Sequence, residues 1–291
     1  MKYLIVGADG QLGQEWVKVL SDQNLHYSAY HFTDLDITDF EKLEHVIKKE
    51  NPSILINCAA YTAVDKAEDE TELSDLINHL AVTKLADLCM IHEIKLVHYS
   101  TDYVFAGSEE DRKKYPLGYP EDAKPNPINE YGISKWKGEQ AIQASGCDYL
   151  ILRLSWLCGA HGNNFAKTML RLAKEKESLS VVNDQFGVPT FTYQTVNDSL
   201  SLLNTSCSGI YHLGSYGIIT WFEFAQKIFE LTDLNVKVQP VDSSEFPTKA
   251  KRPSFSKLST NKIEQDLNTD SISWTKGLEH LLKQLNNGNH K

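Results

Sequence analysis

The sequence is short of positive charge, of cysteine and of long apolar runs, and each shortage excludes something. Its 29 Lys and Arg stand against 39 Asp and Glu, a formal net charge of −10, so a broad nucleic-acid-binding surface is not expected. The five cysteines, Cys58, Cys89, Cys147, Cys158 and Cys207, are odd in number and scattered, with no C-x-x-C pair. That excludes a disulfide framework and a clustered zinc site, and fits reduced thiols. No stretch approaches the ~20 apolar residues of a membrane span, and the N-terminal run Tyr3–Val6 is far shorter than the ~7 to 15 residues of a signal core. The expectation is a cytoplasmic chain with neither membrane nor nucleic acid as partner.

What is present is an ordinary globular composition: 291 residues, 41% hydrophobic and 10% aromatic, enough for one large domain or two unequal ones. From Met1 to Arg153 short β-branched runs alternate with longer amphipathic ones, the pattern of a parallel sheet with crossover helices. Strands are expected at Tyr3–Val6, Tyr27–Phe32, Ile54–Asn57, Leu96–Tyr99 and Tyr149–Leu152. Leu73, Leu76, Ile77, Leu80, Leu85 and Leu88 read as one buried helical stripe. Gly107–Glu130 is proline-rich and charged and reads as a long functional loop. Beyond Arg153 helices are expected near Phe165–Lys176, Phe222–Leu231 and Gly277–Leu285, and the tail Asn286–Lys291 is expected to fray. The fold class is α/β: a doubly wound parallel sheet of Rossmann type in 1–153, binding a dinucleotide. Residues 154–291 form a smaller mixed α/β region for the substrate, with some segments returning to the sheet.

Gly7-Ala8-Asp9-Gly10-Gln11-Leu12-Gly13 lies between the first strand and a helix carrying Trp16, Val17 and Leu20. Glycines let backbone approach a ligand, and a helix N-terminus offers free N–H groups to phosphate. The turn therefore reads as a dinucleotide cradle, spelled G-x-x-G-x-x-G. Asp34 and Asp36 lie where an acid could read the adenosine ribose, and no Lys or Arg occurs between Leu25 and Phe40. The choice between NADH and NADPH stays open. The third strand runs into Asn57-Cys58-Ala59-Ala60-Tyr61, small residues against which a cofactor can lie.

Tyr131 and Lys135 are four residues apart, so on a helix both project from one face. A cation beside a phenol favours phenolate and lowers its pKa, which makes Tyr131 a candidate general acid for a carbonyl oxygen. The fourth strand ends in Ser100-Thr101, where either hydroxyl could donate to the same oxygen.

These segments, with His98-Tyr99-Ser100-Thr101-Asp102-Tyr103-Val104-Phe105 and Tyr131-Gly132-x-Ser134-Lys135-x-x-Gly138-Glu139, resemble the extended short-chain dehydrogenase/reductases. More narrowly, Asn57 to Glu68, Arg153-Leu154-Ser155-Trp156, Gly162 to Leu170, Asn183 to Thr190 and Arg252-Pro253 are similar to the dTDP-4-dehydrorhamnose reductase family over nearly the whole chain. The resemblance implies reduction, with NADPH or NADH, of the C4 keto group of a dTDP-linked keto-deoxyhexose. It implies Thr101, Tyr131 and Lys135 as the catalytic set. Around the cofactor it implies Gly7, Gly10, Gln11, Leu12, Gly13, Asp36, Ile37, Ala59, Ala60 and Tyr61, with Tyr131 and Lys135 on its ribose. Asp102, Tyr103 and Trp156 would lie near the sugar beside Thr101, and Asn164, Lys167 or Arg252 would meet the diphosphate. Related dehydratases place a second acid after Asp102, where this chain has Tyr103, which argues against dehydration. Some family members are dimers bridged by Mg²⁺ through glutamates; Glu15 matches one such position, but Tyr193 stands at another, so no metal is expected. Monomer and homodimer both remain open. Another nucleotide-sugar 4-ketoreductase is the alternative reading, followed by a regulatory protein on the same fold, against which the joint presence of Thr101, Tyr131 and Lys135 argues.

Overall fold

Tyr3–Val6 and Ile54–Asn57 are apolar on both faces, and every residue of both runs is buried, as a parallel sheet covered on both sides requires. In the computed structural model, which describes residues 1–288, they form β1 and β3. With them pair β2 (Tyr27–Tyr30), β4 (Lys95–Thr101), β5 (Tyr149–Leu154) and β6 (Gly209–His212), in the spatial order β6-β5-β4-β3-β1-β2. All pairings are parallel. Strand order reverses between β1 and β3, so ligands belong at the carboxyl ends of β1, β3 and β4.

The helices Gln11–Asp22 and Thr192–Asn204 cover one face, burying Trp16, Leu20, Val196 and Leu200. Helices Phe40–Glu50, Glu130–Ser145 and a long run from Thr71 to Ile91 cover the other. Past Leu154 the chain leaves the sheet, returns as Thr192–Asn204 and β6, and leaves again. The excursions build a smaller lobe around Phe191, Phe224, Ile228 and Leu281. There Ser178–Val182 pairs with Lys237–Val241, and helices Phe165–Leu172, Trp221–Leu231 and Trp274–Gly288 pack.

Several boundaries differ from expectation for local reasons. β2 stops at Tyr30 because the His31 carbonyl turns back to accept the N–H groups of Asp34 and Leu35. The leucine stripe is interrupted by a π turn at Leu76–Leu80, which shifts the helical register, so Leu73 and Leu80 face solvent. The expected loop Gly107–Glu130 contains a helix, Glu109–Lys114, started by a reciprocal Ser108–Asp111 capping box. The C-terminal helix is assigned to Gly288, which takes in the start of the tail; residues 289–291 of the tail expected to fray lie outside the described residues.

Candidate active site

Gly7 follows β1 at φ +73, and a Cβ there would sit 2.5 Å from the Ala59 amide nitrogen. Only glycine allows the turns after β1 and β3 to close on each other. Beyond it, the nearest atom to a Cβ on Gly10 would be the Gly7 carbonyl oxygen at 3.5 Å, so the mouth of the turn is open. The Gln11–Asp22 helix starts there with no side-chain cap, leaving its first N–H groups for an anion. The resulting cleft of about 370 Å³ is lined by Gly7, Gly10, Asp36, Ile37, Ala59, Ala60 and Tyr61, and it fits a dinucleotide. Leu12 faces the core, and the Gln11 amide oxygen accepts from Asn164 Nδ2 at 2.9 Å. Asn78, in the π turn, grips Tyr61 by both backbone groups, N–H to Oδ1 at 2.9 Å and Nδ2 to O at 3.0 Å.

At the end of β4, Thr101 passes into a 3-10 turn, Asp102–Val104. The Glu130–Ser145 helix presses so closely on this turn that a Cβ on Gly132 would overlap the Tyr103 carbonyl. That contact brings the Tyr131 hydroxyl close to Thr101, and the Tyr103 ring meets the Tyr131 ring edge-on at 5.5 Å. Ser100 points the other way and donates to Glu139 Oε1 at 2.5 Å, which leaves Thr101 as the hydroxyl beside Tyr131. Glu139 is itself locked to Arg153, with Nη2 to Oε2 at 2.6 Å, both fully buried.

Lys135 is 1% exposed. Its Nζ donates to the Tyr99 carbonyl at 2.6 Å and lies 3.2 Å from His98 Nε2, while His98 Nδ1 meets Asn57 Nδ2 at 3.0 Å. Burial lowers the Lys135 pKa to about 8, so the amine stays mostly charged at neutral pH. The expected acidification of Tyr131 is not found. Burial of the hydroxyl raises its pKa above the usual phenol value, and the nearby Asp102 adds to the rise. Asp102 is also buried. It accepts from the Thr101 hydroxyl at 3.1 Å, but its second oxygen has no partner, and burial pushes its pKa up to about 7.

On the β5 side opens a cleft of about 710 Å³, whose lining includes Tyr103, Trp156, Phe165, Trp221 and Arg252. Trp156 adopts φ +48, uncommon for a non-glycine residue, and its indole stacks on Trp221 at 3.6 Å. Arg252 joins Tyr103 OH at 3.0 Å to Asp65 at 2.6 Å. Asn164 does not line this cleft. It caps the Phe165–Leu172 helix by accepting from the Lys167 N–H, and donates to Gln11 and Gly159. The Lys167 ammonium is likewise spent on the carbonyls of Ala160 and Gly162. Glu15 is buried and accepts from Thr192 Oγ1 at 2.9 Å. Among the described residues no group of three or more His, Cys, Asp and Glu is arranged to hold a metal ion. The motif reading missed Asn78, Trp221 and Asp65; a polar residue inside an apolar helical stripe was the one available signal for Asn78.

A glycine-floored cleft at the switch point, with Thr, Tyr and Lys converging at the end of the central strand, defines a dinucleotide-binding enzyme of the short-chain dehydrogenase/reductase type. Residues 1–287 match the family model described as the RmlD substrate binding domain, and the chain belongs to that family. It is 37% identical to a dTDP-4-dehydrorhamnose reductase of Escherichia coli K12, over 98% of both chains. It is 35% identical to a dTDP-4-keto-6-deoxy-D-glucose reductase of Streptomyces niveus, again over 98% of both. A crystal structure of dTDP-4-dehydrorhamnose reductase from Bacillus anthracis in complex with NADP superposes with a TM-score of 0.93 at 40% identity, covering 97% of this chain and 99% of that one.

Proposed function

We infer that this protein is an NAD(P)H-dependent oxidoreductase that reduces the C4 keto group of dTDP-4-dehydro-6-deoxy-L-mannose, forming dTDP-L-rhamnose in the last step of dTDP-rhamnose synthesis. The observation that carries the reading is the Thr101–Tyr131 hydroxyl pair at the end of β4. The glycine-floored cleft lies on its β3 side and the aromatic cleft on its β5 side. Residues 1–153 hold the dinucleotide, and 154–291 supply most of the sugar-nucleotide cleft. The N-terminus of the Gln11–Asp22 helix takes the pyrophosphate. When bound, the reduced nicotinamide supplies the hydride.

The chain's own groups do the rest. Tyr131, kept protonated by burial, donates its phenolic proton to the C4 oxygen as that oxygen gains charge. Thr101 orients the oxygen, and the buried ammonium of Lys135 holds the cofactor ribose and supplies positive charge behind Tyr131. Tyr103, Trp156 and Arg252 place the hexose. The five cysteines are free thiols, in keeping with a reducing cytoplasm, where the chain acts as a monomer or homodimer. No described helix is long and apolar enough to cross a membrane.

The Streptomyces niveus relative favours a second reading, a 4-ketoreductase for another dTDP-keto-sugar. Offering both keto-sugars to the purified protein and following consumption of reduced cofactor separates the two. Turnover is expected on the L-mannose derivative and not on the D-glucose derivative; the reverse supports the second reading, and turnover of neither refutes both.

A further inference from the structure

We propose that Asp65 is a positioning residue for the sugar nucleotide. Through Ala250 and Arg252 it holds residues 243–253 in the wall of the aromatic cleft, and it does so from the rim of the dinucleotide cleft, so that filling one cleft tightens the other. The inference rests on the two-ligand reading above and deepens it. Residues 243–253 supply the largest share of the lining of the aromatic cleft. After a single 3-10 turn at Ser243–Glu245 they have no helix or strand of their own, so side chains elsewhere have to fix their position.

The two ends are tied to different halves of the molecule. On the side of the small lobe, the Ser243 N–H and hydroxyl donate to Asp184 Oδ2 at 3.0 and 2.7 Å. At the other end both carboxylate oxygens of Asp65 are engaged: Oδ1 accepts from the Ala250 N–H at 3.2 Å, and Oδ2 from Arg252 Nη2 at 2.6 Å. Between those two residues the Lys251 carbonyl accepts from Asn129 Nδ2 at 2.8 Å, while Asn129 Oδ1 caps the Glu130–Ser145 helix through the Gly132 N–H. Arg252 also donates to the hydroxyl of Tyr103, whose ring meets Tyr131. Asp65 itself sits on the short helix Val64–Ala67. Directly before that helix, Ala60 to Ala63 line the dinucleotide cleft and carry no regular structure. A dinucleotide packed against this run fixes where the helix begins, and with it the carboxylate that grips the far wall. The side chains of Asp65 and Arg252 are 44% and 28% exposed, so the pair adds little to stability; what it sets is the place of the segment.

The test is calorimetric titration of the purified full chain with dTDP, alone and at saturating NADP⁺. The unaltered protein should bind dTDP about five- to tenfold more tightly when NADP⁺ is present, and NADP⁺ more tightly by the same factor when dTDP is present. Asp65→Asn keeps the shape of the side chain but loses its charge and one acceptor oxygen. It should bring the factor below about twofold, with the dissociation constant for NADP⁺ alone within about twofold of the unaltered protein. Equal dTDP affinity with and without NADP⁺ in the unaltered protein overturns the coupling and leaves both sites standing. An undiminished factor in Asp65→Asn overturns the role given to Asp65, and so does a variant in which NADP⁺ alone is weakened as much as dTDP, since that marks general damage to the fold. Failure of either ligand to bind the unaltered protein overturns the two-ligand reading itself.

Discussion

Around Tyr131 the position of each group is set by backbone contact and buried ion pairing, whereas around Trp156 it is set by side chains arriving from segments far apart in the chain. In the first region Gly132 lets a helix press on the Asp102–Val104 turn. Ser100, Glu139 and Arg153 then tie β4, that helix and β5 into one buried unit. In the second, Trp221 stacks on Trp156 from another helix, and Arg252 reaches back to Asp65 across the mouth of the cleft. The lesson is a division of labour: the proton donor is held rigidly, and the surface that reads the sugar is assembled from adjustable side chains.

The contrast can be broken most severely at Glu139. Glu139→Ala leaves Arg153 buried without its counter-charge and should cost about 3–5 kcal/mol of stability, measured by urea denaturation. A loss within error of zero would mean that the corner is not held by this pair. A smaller effect is expected at Asp102, on the border between the regions. Its carboxyl is held at about 7 in the folded chain and ionises near ~4 when unfolded. Between those values the unfolded state carries fewer protons, so the stability from this site is present below pH ~4 and lost as pH rises toward about 7. Asp102→Asn should flatten that part of the stability curve in thermal melts, and an unchanged slope would contradict the burial argument. The mildest change should come from Trp221→Ala, which removes one face of the indole stack. KM for the sugar nucleotide is expected to rise about three- to tenfold with kcat little altered; a fall in kcat with KM unmoved would place Trp221 in the fixed corner instead.

The same division explains what was legible in the sequence. The glycine turn, Thr101, Tyr131 and Lys135 could be found because each lies on a short motif flanked by periodic elements, and the spacing alone places them at strand ends or on one helix face. Burial is not written in spacing. The four-residue step from Tyr131 to Lys135 predicts a shared face but not that both groups would be buried, and burial gave the expected acid shift of Tyr131 the opposite sign. Asn164 opens a helix, and a polar residue there reads equally as a cap and as a ligand; the cap prevailed. Arg252 and Asp65 are 187 residues apart, and no local pattern pairs them. The π turn that presents Asn78 lies inside the leucine stripe, where its only marks are a polar residue and the five-residue step from Leu80 to Leu85, too little to announce a change of helix type.

The account stands or falls on proton donation by Tyr131. Tyr131→Phe keeps the ring against Tyr103 and removes only the hydroxyl. Turnover of the keto-sugar by this variant should fall by ~10² to 10⁴, with its dissociation constant for reduced cofactor within about threefold of the unaltered protein. Turnover that survives undiminished, with cofactor bound as before, would contradict it.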